Sequence, residues 1–131
     1  MEHLHANNII YCDLKLDNVL IDEDGYPRLT DFEMCRQGGE VNSDGYRGTI
    51  NYIAPDLFSQ DLVDKAMDIW ALGICICFLA NGEAPYEGEE VYKSDFIEKC
   101  QKNENSYKLT SKKVSKQLKD LVNSLLKFDP K

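Results

Sequence analysis

Residues 11–18 read Tyr11-Cys12-Asp13-Leu14-Lys15-Leu16-Asp17-Asn18, and the reading of this octet decides the fold. It sets a carboxylate, an ammonium group and an amide in the order Asp-x-Lys-x-x-Asn. Ile9 to Tyr11 before it and Val19 to Ile21 after it are short apolar segments of strand character. The octet is therefore a loop between two short strands. Taken singly, its residues are ordinary. An Asp or Asn in a loop caps or turns the chain, and a Lys is solvated. Their meaning comes from what stands around them.

Outward from the octet, Arg28 to Thr30 is another short strand, and Asp22-Glu23-Asp24-Gly25 supplies a turn with an Asp-Gly pair. Met1 to Ala6 reads as the last turn of a helix, stopped at Asn7-Asn8 because Asn tolerates the left-handed cap conformation. Gln37 to Gly48 is polar and Gly-rich, and reads as a mobile loop. Ala54 to Phe58 starts a short helix. Asp64 to Ala80 is the strongest helix, with Asp64 as its N-cap and apolar residues on all sides, hence a core helix. Asn81-Gly82 ends it, with Pro85 beyond. Glu90 to Cys100 is a shorter amphipathic helix, and Lys102 to Lys108 a polar loop. Ser115 to Leu126 places Leu118, Leu121, Val122, Leu125 and Leu126 at helical spacing, and Phe128-Asp129-Pro130 ends that helix. The fold class is α+β, mostly α, with 1–131 read as one domain without an internal linker.

Composition limits the function. The 131 residues are 43% hydrophobic and 29% charged, an ordinary globular balance. A net charge of −8 argues against a nucleic-acid partner, which calls for a basic stripe. The five cysteines, Cys12, Cys35, Cys75, Cys77 and Cys100, are odd in number and contain no Cys-x-x-Cys pair, so free thiols fit better than disulfides or a zinc site. The twelve-residue apolar run from Ile69 to Ala80 is too short for a membrane segment. No signal pattern follows Met1, and an intracellular, cytoplasmic or nuclear, placement is expected.

Five further marks stand in order after the octet. Thr30-Asp31-Phe32-Glu33 lies downstream, with Asp31 eighteen residues after Asp13. Gly48-Thr49-Ile50-Asn51-Tyr52-Ile53-Ala54-Pro55-Asp56 follows, then Asp68-Ile69-Trp70-Ala71-Leu72-Gly73, then Asn81-Gly82-Glu83-Ala84-Pro85-Tyr86. Leu125-Leu126 with Asp129-Pro130 closes the series. With the octet, these marks resemble the eukaryotic protein kinase domain: its catalytic loop, Asp-Phe-Gly motif, activation-segment end with Ala-Pro-Glu, central helix and the turn after it. The resemblance covers essentially the whole chain. Ile9 to Asp22 looks most similar to the protein kinase C branch of the AGC serine/threonine kinases, including Tyr11 where most kinases have His.

The resemblance implies a role for each residue. Asp13 would accept or orient the proton of a substrate hydroxyl, Lys15 would lie near the γ-phosphate of ATP, and Thr49 would help position peptide and Asp13. Asn18 and Asp31 would hold Mg2+, a hard ion that takes oxygen ligands. Leu20 would lie beneath the adenine ring, although a buried strand Leu is the simpler reading. Tyr11 and Phe32 would stack in the core. Asp68 would accept backbone N–H bonds from the catalytic loop. The partners implied are ATP and a protein or peptide substrate carrying Ser or Thr.

Several departures stand out. No residue matches the family's Gly-rich loop, its strand Lys or its helix Glu, which lie upstream of the catalytic loop. The chain is therefore expected to be the C-lobe portion with the N-lobe absent, and inactive alone. Glu33 replaces the Gly of Asp-Phe-Gly, and Asp56 the Glu of Ala-Pro-Glu. Cys12 replaces the Arg before the catalytic Asp, and Gly45 holds the position of the usual phosphorylated Thr, so activation by phosphate there is not expected. Ser43 and Tyr46 are hydroxyls nearby. Cys12 itself reads as a buried, inert thiol rather than a redox switch. Two alternatives to a kinase domain remain: a catalytically inactive, pseudokinase-like remnant that binds a protein, and a fragment with no stable function.

Overall fold

The longest apolar segment becomes the axis of the fold. In the computed structural model, which describes residues 1–41, 49–54, 62–85, 98, 109 and 114–127, helix α2 runs over Lys65–Asn81. Asp64 caps it, its carboxylate accepting the Ala66 N–H at 3.0 Å. Gly82 closes it with φ 83°, a left-handed conformation a side chain would strain. One side of α2 presents Trp70, Ile74 and Cys77 to Ile53, Ala54, Leu109, Val122 and Leu126. Another presents Ala71 and Cys75 to Tyr11 and Leu14, which brings the octet onto the same helix. Full burial of each large side chain in these clusters stabilises by about 1.5–3 kcal/mol. The helix is not buried all round as its composition suggested, since Leu79 near its end is exposed.

Helix α3, Lys116–Leu125, follows the spacing that predicts it. Ser115 caps it, its hydroxyl accepting the Leu118 N–H at 3.2 Å. α3 approaches α2 closely because Gly73 has no side chain: a Cβ there would stand 2.6 Å from Leu126 Cδ2 and 3.1 Å from Leu125 Cβ.

Among the described residues the named strands form two antiparallel pairs. Helix α1, Glu2–Ala6, leads through Asn8, which takes the left-handed φ of 57°, into β1, Ile9–Ile10. After the octet, β2 (Val19–Ile21) pairs with β3 (Pro27–Leu29) in the register Val19↔Leu29. The third strand thus begins one residue earlier than its sequence suggests. Asp22 shapes the turn by accepting the N–H groups of Asp24 at 3.1 Å and Tyr26 at 2.8 Å.

The stretch from Gln37, expected to be a loop, is instead paired at its start. β4, Arg36–Gln37, lies antiparallel to β1 with Ile10 opposite Arg36. Beyond it the Gly39 N–H donates to the Val63 carbonyl at 2.9 Å, and the Val63 N–H donates to Glu40 at 3.0 Å. Backbone pairing with distant residues overrides the loop-forming composition here. The positions Ser43, Gly45, Tyr46, Gly48, Pro55 to Phe58, Tyr86, Glu90 to Cys100, Lys102 to Lys108 and Phe128 to Pro130, for which the sequence carries expectations, lie outside the described residues, apart from Glu98, which is helical and exposed. Among the described residues no helix is long and apolar enough to cross a membrane.

Candidate active site

The octet leaves β1, crosses the face of α2 and ends in a 3-10 turn, Leu16–Asn18, from which β2 starts. Its shape is set from below by Asp68, only 1% exposed in the first turn of α2. Asp68 Oδ2 accepts the Tyr11 N–H and Oδ1 the Cys12 N–H, both at 2.9 Å. The family resemblance implies this role for Asp68. A third group, to which no sequence pattern points, joins them: His5 Nε2 of α1 lies 2.7 Å from Asp68 Oδ2. Cys12 itself has φ 67°, a costly conformation for a residue with a side chain. The Asp68 bond to its N–H helps hold it there.

Above this support the octet folds onto itself. Asn18 Nδ2 donates to the carbonyl and to Oδ2 of Asp13, each at 3.0 Å. Lys15 Nζ lies 2.9 Å from Asp13 Oδ2. Thr49, which precedes the 3-10 turn Ile50–Tyr52, donates from Oγ1 to Asp13 Oδ1 at 3.2 Å and accepts from Lys15 Nζ at 3.0 Å. Asp13, Lys15, Asn18 and Thr49 therefore form one connected polar cluster. Asp13 and Asn18 are 8% and 7% exposed, so the cluster fixes the carboxylate with little competition from water.

Asp31 is reached differently. The β2–β3 register continues past its end, with the Thr30 N–H donating to the Asn18 carbonyl at 3.0 Å. Asp31 follows directly, exposed and with φ 55°. Asn18 and Asp31 thus stand at the same end of one hairpin. Asp31 has no hydrogen bond of its own to the polar cluster, and its Oδ1 accepts the Glu33 N–H at 3.4 Å. Tyr11 ties this end down. Its hydroxyl donates to the Thr30 carbonyl, and its ring meets Phe32 edge-on with centroids 5.4 Å apart. Leu20, read most simply as a buried strand residue, is 55% exposed on β2, because that face of the two-stranded hairpin has no described layer over it.

Burial sets the protonation of the neutral acids around the site. It pushes the Cys12 thiol up to about 12, with the Asp68 carboxylate adding to the effect, so this thiol is not a nucleophile at neutral pH. The Tyr11 hydroxyl is pushed up to about 12 by burial first and by Asp13 second. Cys35 is raised by burial and by Asp68.

The donor chemistry fits a magnesium–nucleotide complex. An Asn amide oxygen and an exposed carboxylate are hard oxygen donors, and magnesium is commonly held by one or two carboxylates together with substrate phosphates. Among the described residues no three His, Cys, Asp or Glu side chains converge as a metal site.

The sequence pattern of the protein kinase domain family matches residues 1–131. Protein kinase C delta type of Homo sapiens is 31% identical over 132 aligned positions, covering 99% of this chain. Protein kinase C eta type of Mus musculus is 44% identical over 88 residues, 66% of this chain, and protein kinase C-like 1 of Caenorhabditis elegans 42% over 94 residues, 68% of this chain. The matched region spans 19%, 13% and 13% of the length of these three relatives.

Proposed function

The chain belongs to the protein kinase domain family, and from that premise we propose that its 131 residues are the C-lobe portion of a serine/threonine protein kinase. The complete enzyme would transfer the γ-phosphate of ATP to Ser or Thr of a protein substrate. The observation that carries this reading is the single polar cluster in which Lys15, Asn18 and Thr49 all contact Asp13.

Asp13 acts as the group that accepts or orients the substrate hydroxyl proton, being a carboxylate held in place by fixed donors. Lys15 lies beside it as the point charge for the transferred phosphate. ATP with Mg2+ supplies the phosphoryl group and offsets its charge when bound. Asn18 and Asp31 would hold the metal from the open end of the hairpin, and exposed Leu20 offers an apolar face to the adenine. Thr49 bridges Lys15 and Asp13 at the edge where a peptide hydroxyl would enter. The chain alone is expected not to transfer phosphate, because none of its residues matches the family's Gly-rich loop, strand Lys or helix Glu.

A Mg·ATP titration of the purified chain tests the nucleotide face. A ligand that binds only the folded state raises its melting temperature with concentration. The reading expects a magnesium-dependent rise that Asp31→Ala removes. No rise, or one untouched by that substitution, would favour the pseudokinase-like remnant that binds a protein without nucleotide.

A further inference from the structure

The segment that leaves Asp31 and Phe32 changes partner in mid-course. Arg36 and Gln37 of β4 pair with β1, and the Gly38 N–H extends that pairing by donating to the Asn8 carbonyl at 2.9 Å. One residue on, Gly39 takes a left-handed φ of 87°, and from there the backbone pairs with the entry to α2, Gly39 with Val63 and Val41 with Leu62. At the crossing the Asn8 side chain reaches over, and its Nδ2 donates to the Gly38 carbonyl at 3.0 Å. We propose that Asn8 is a positioning residue that pins this change of partner, gripping Gly38 by main chain and side chain together.

A pin is needed here. Strands of two residues carry no alternation of apolar and polar side chains that could specify their register, and a slip by one residue would turn every side chain of β4 to the other face. The Gly38 carbonyl and the Gly39 N–H belong to one peptide group, which Asn8 holds at its oxygen and Val63 at its nitrogen. Gly38 shows that the fit is specific. Unlike Gly39 it has no left-handed φ, so its backbone conformation would accept a side chain. Space forbids one, because a Cβ at Gly38 would stand 2.4 Å from Asn8 Oδ1 and 3.1 Å from its Cγ. The Asn8 amide can make room only by giving up its bond. Asn8 itself has φ 57°, which Asn tolerates better than most residues, and a Gly there would take the same conformation without supplying a donor. The pinned point lies between two parts of the site. Asn8 leads through β1 into the octet, and Val63 directly precedes Asp64, the cap of α2. The path from Asp31 toward Thr49 therefore starts from a fixed place. That link to the peptide-facing Thr49 rests on the kinase reading, but the grip on Gly38 does not, and its test needs no enzyme activity.

Amide hydrogen exchange of the 131-residue chain, followed residue by residue, provides that test. Asn8→Gly keeps the backbone conformation and removes the donor. It should speed exchange of the Gly39 and Val63 amides about threefold relative to Ile74 of α2, the low end for one neutral hydrogen bond because this contact is exposed. Gly38→Ala should have the same local effect by displacing the Asn8 amide. The double variant should do no more than either alone, since both changes remove one interaction. Unchanged exchange in Asn8→Gly, an equal acceleration at Ile74, or additive effects in the double variant would overturn the proposal. If a variant does not fold, the wild-type chain decides. Its NMR spectra should show a coupling across the hydrogen bond between the Asn8 side-chain nitrogen and the Gly38 carbonyl carbon, and the absence of that coupling would contradict the claim.

Discussion

Asn18 Nδ2 lies 3.0 Å from both the main-chain oxygen and the Oδ2 of Asp13, so one amide group braces the backbone and side chain of the candidate proton acceptor together. Substituting Asn18→Ala removes both bonds from a buried place. The expected loss is about 1–3 kcal/mol of folding stability, the range for leaving a buried hydrogen-bonding group without its partner. Urea denaturation measures it, and an unchanged midpoint would show that the bonds contribute nothing.

The contact between α2 and α3 rests on Gly73. Ala is the better helix former by about 1 kcal/mol, which alone predicts stabilisation by Gly73→Ala. The space says otherwise, since the new methyl would stand 2.6 Å from Leu126 Cδ2 and 2.9 Å from its Cγ. Overpacking of this kind costs about 1–3 kcal/mol. A net fall in melting temperature is expected, partly relieved when Leu126→Val makes room. A higher melting temperature for the single variant would contradict the packing.

The N-cap of α2 is testable in the same way. The Asp64 carboxylate accepts the Ala66 N–H at 3.0 Å, and Asp64→Ala should cost about 1 kcal/mol, whereas Asp64→Ser should cost less. Denaturation midpoints in that order support the cap, and equal midpoints do not.

High pH should unfold the chain. The Cys12 thiol ionises at about 12 in the folded chain against 9.0 when unperturbed, and Cys75 and Cys77 are pushed by burial to about 11. Between those limits the unfolded thiols release protons that the folded ones keep. The stability they contribute is therefore complete below pH 9 and is lost as pH rises toward 12. Circular dichroism across this window should show stability falling, with a smaller fall in a Cys75→Ala, Cys77→Ala variant. Stability constant from pH 9 to 12 would contradict the burial.

Local signals made much of this molecule legible in its sequence. Asp64, Gly82 and Ser115 are cap residues, and they bound α2 and α3 nearly where composition and spacing predict. Asp13, Lys15 and Asn18 lie within one loop, so their order in the chain nearly dictates their meeting. Thr49 was tied to Asp13 by the family resemblance alone, and in the structure its hydroxyl donates to Asp13 Oδ1 at 3.2 Å. The β1–β4 pair was illegible because two residues carry no alternation, and Arg36-Gln37 is polar. His5 was illegible for a different reason. One imidazole in a five-residue helix makes no pattern, and its partner lies 63 residues away. The exposure of Leu20 was misread because an apolar strand residue implies a covering layer, whereas β2 belongs to a two-stranded hairpin.

The central claim is that Asp13 is the proton-accepting carboxylate of a serine/threonine kinase. Its most direct test is peptide phosphorylation with Mg·ATP by the longest natural protein that carries these residues, compared with its Asp13→Ala variant. The account predicts phosphate on Ser or Thr, with a fall of about a hundredfold or more in the variant, the usual scale for losing a positioned acid–base group. Transfer that survives Asp13→Ala unchanged, or no transfer by the wild-type protein, would contradict it.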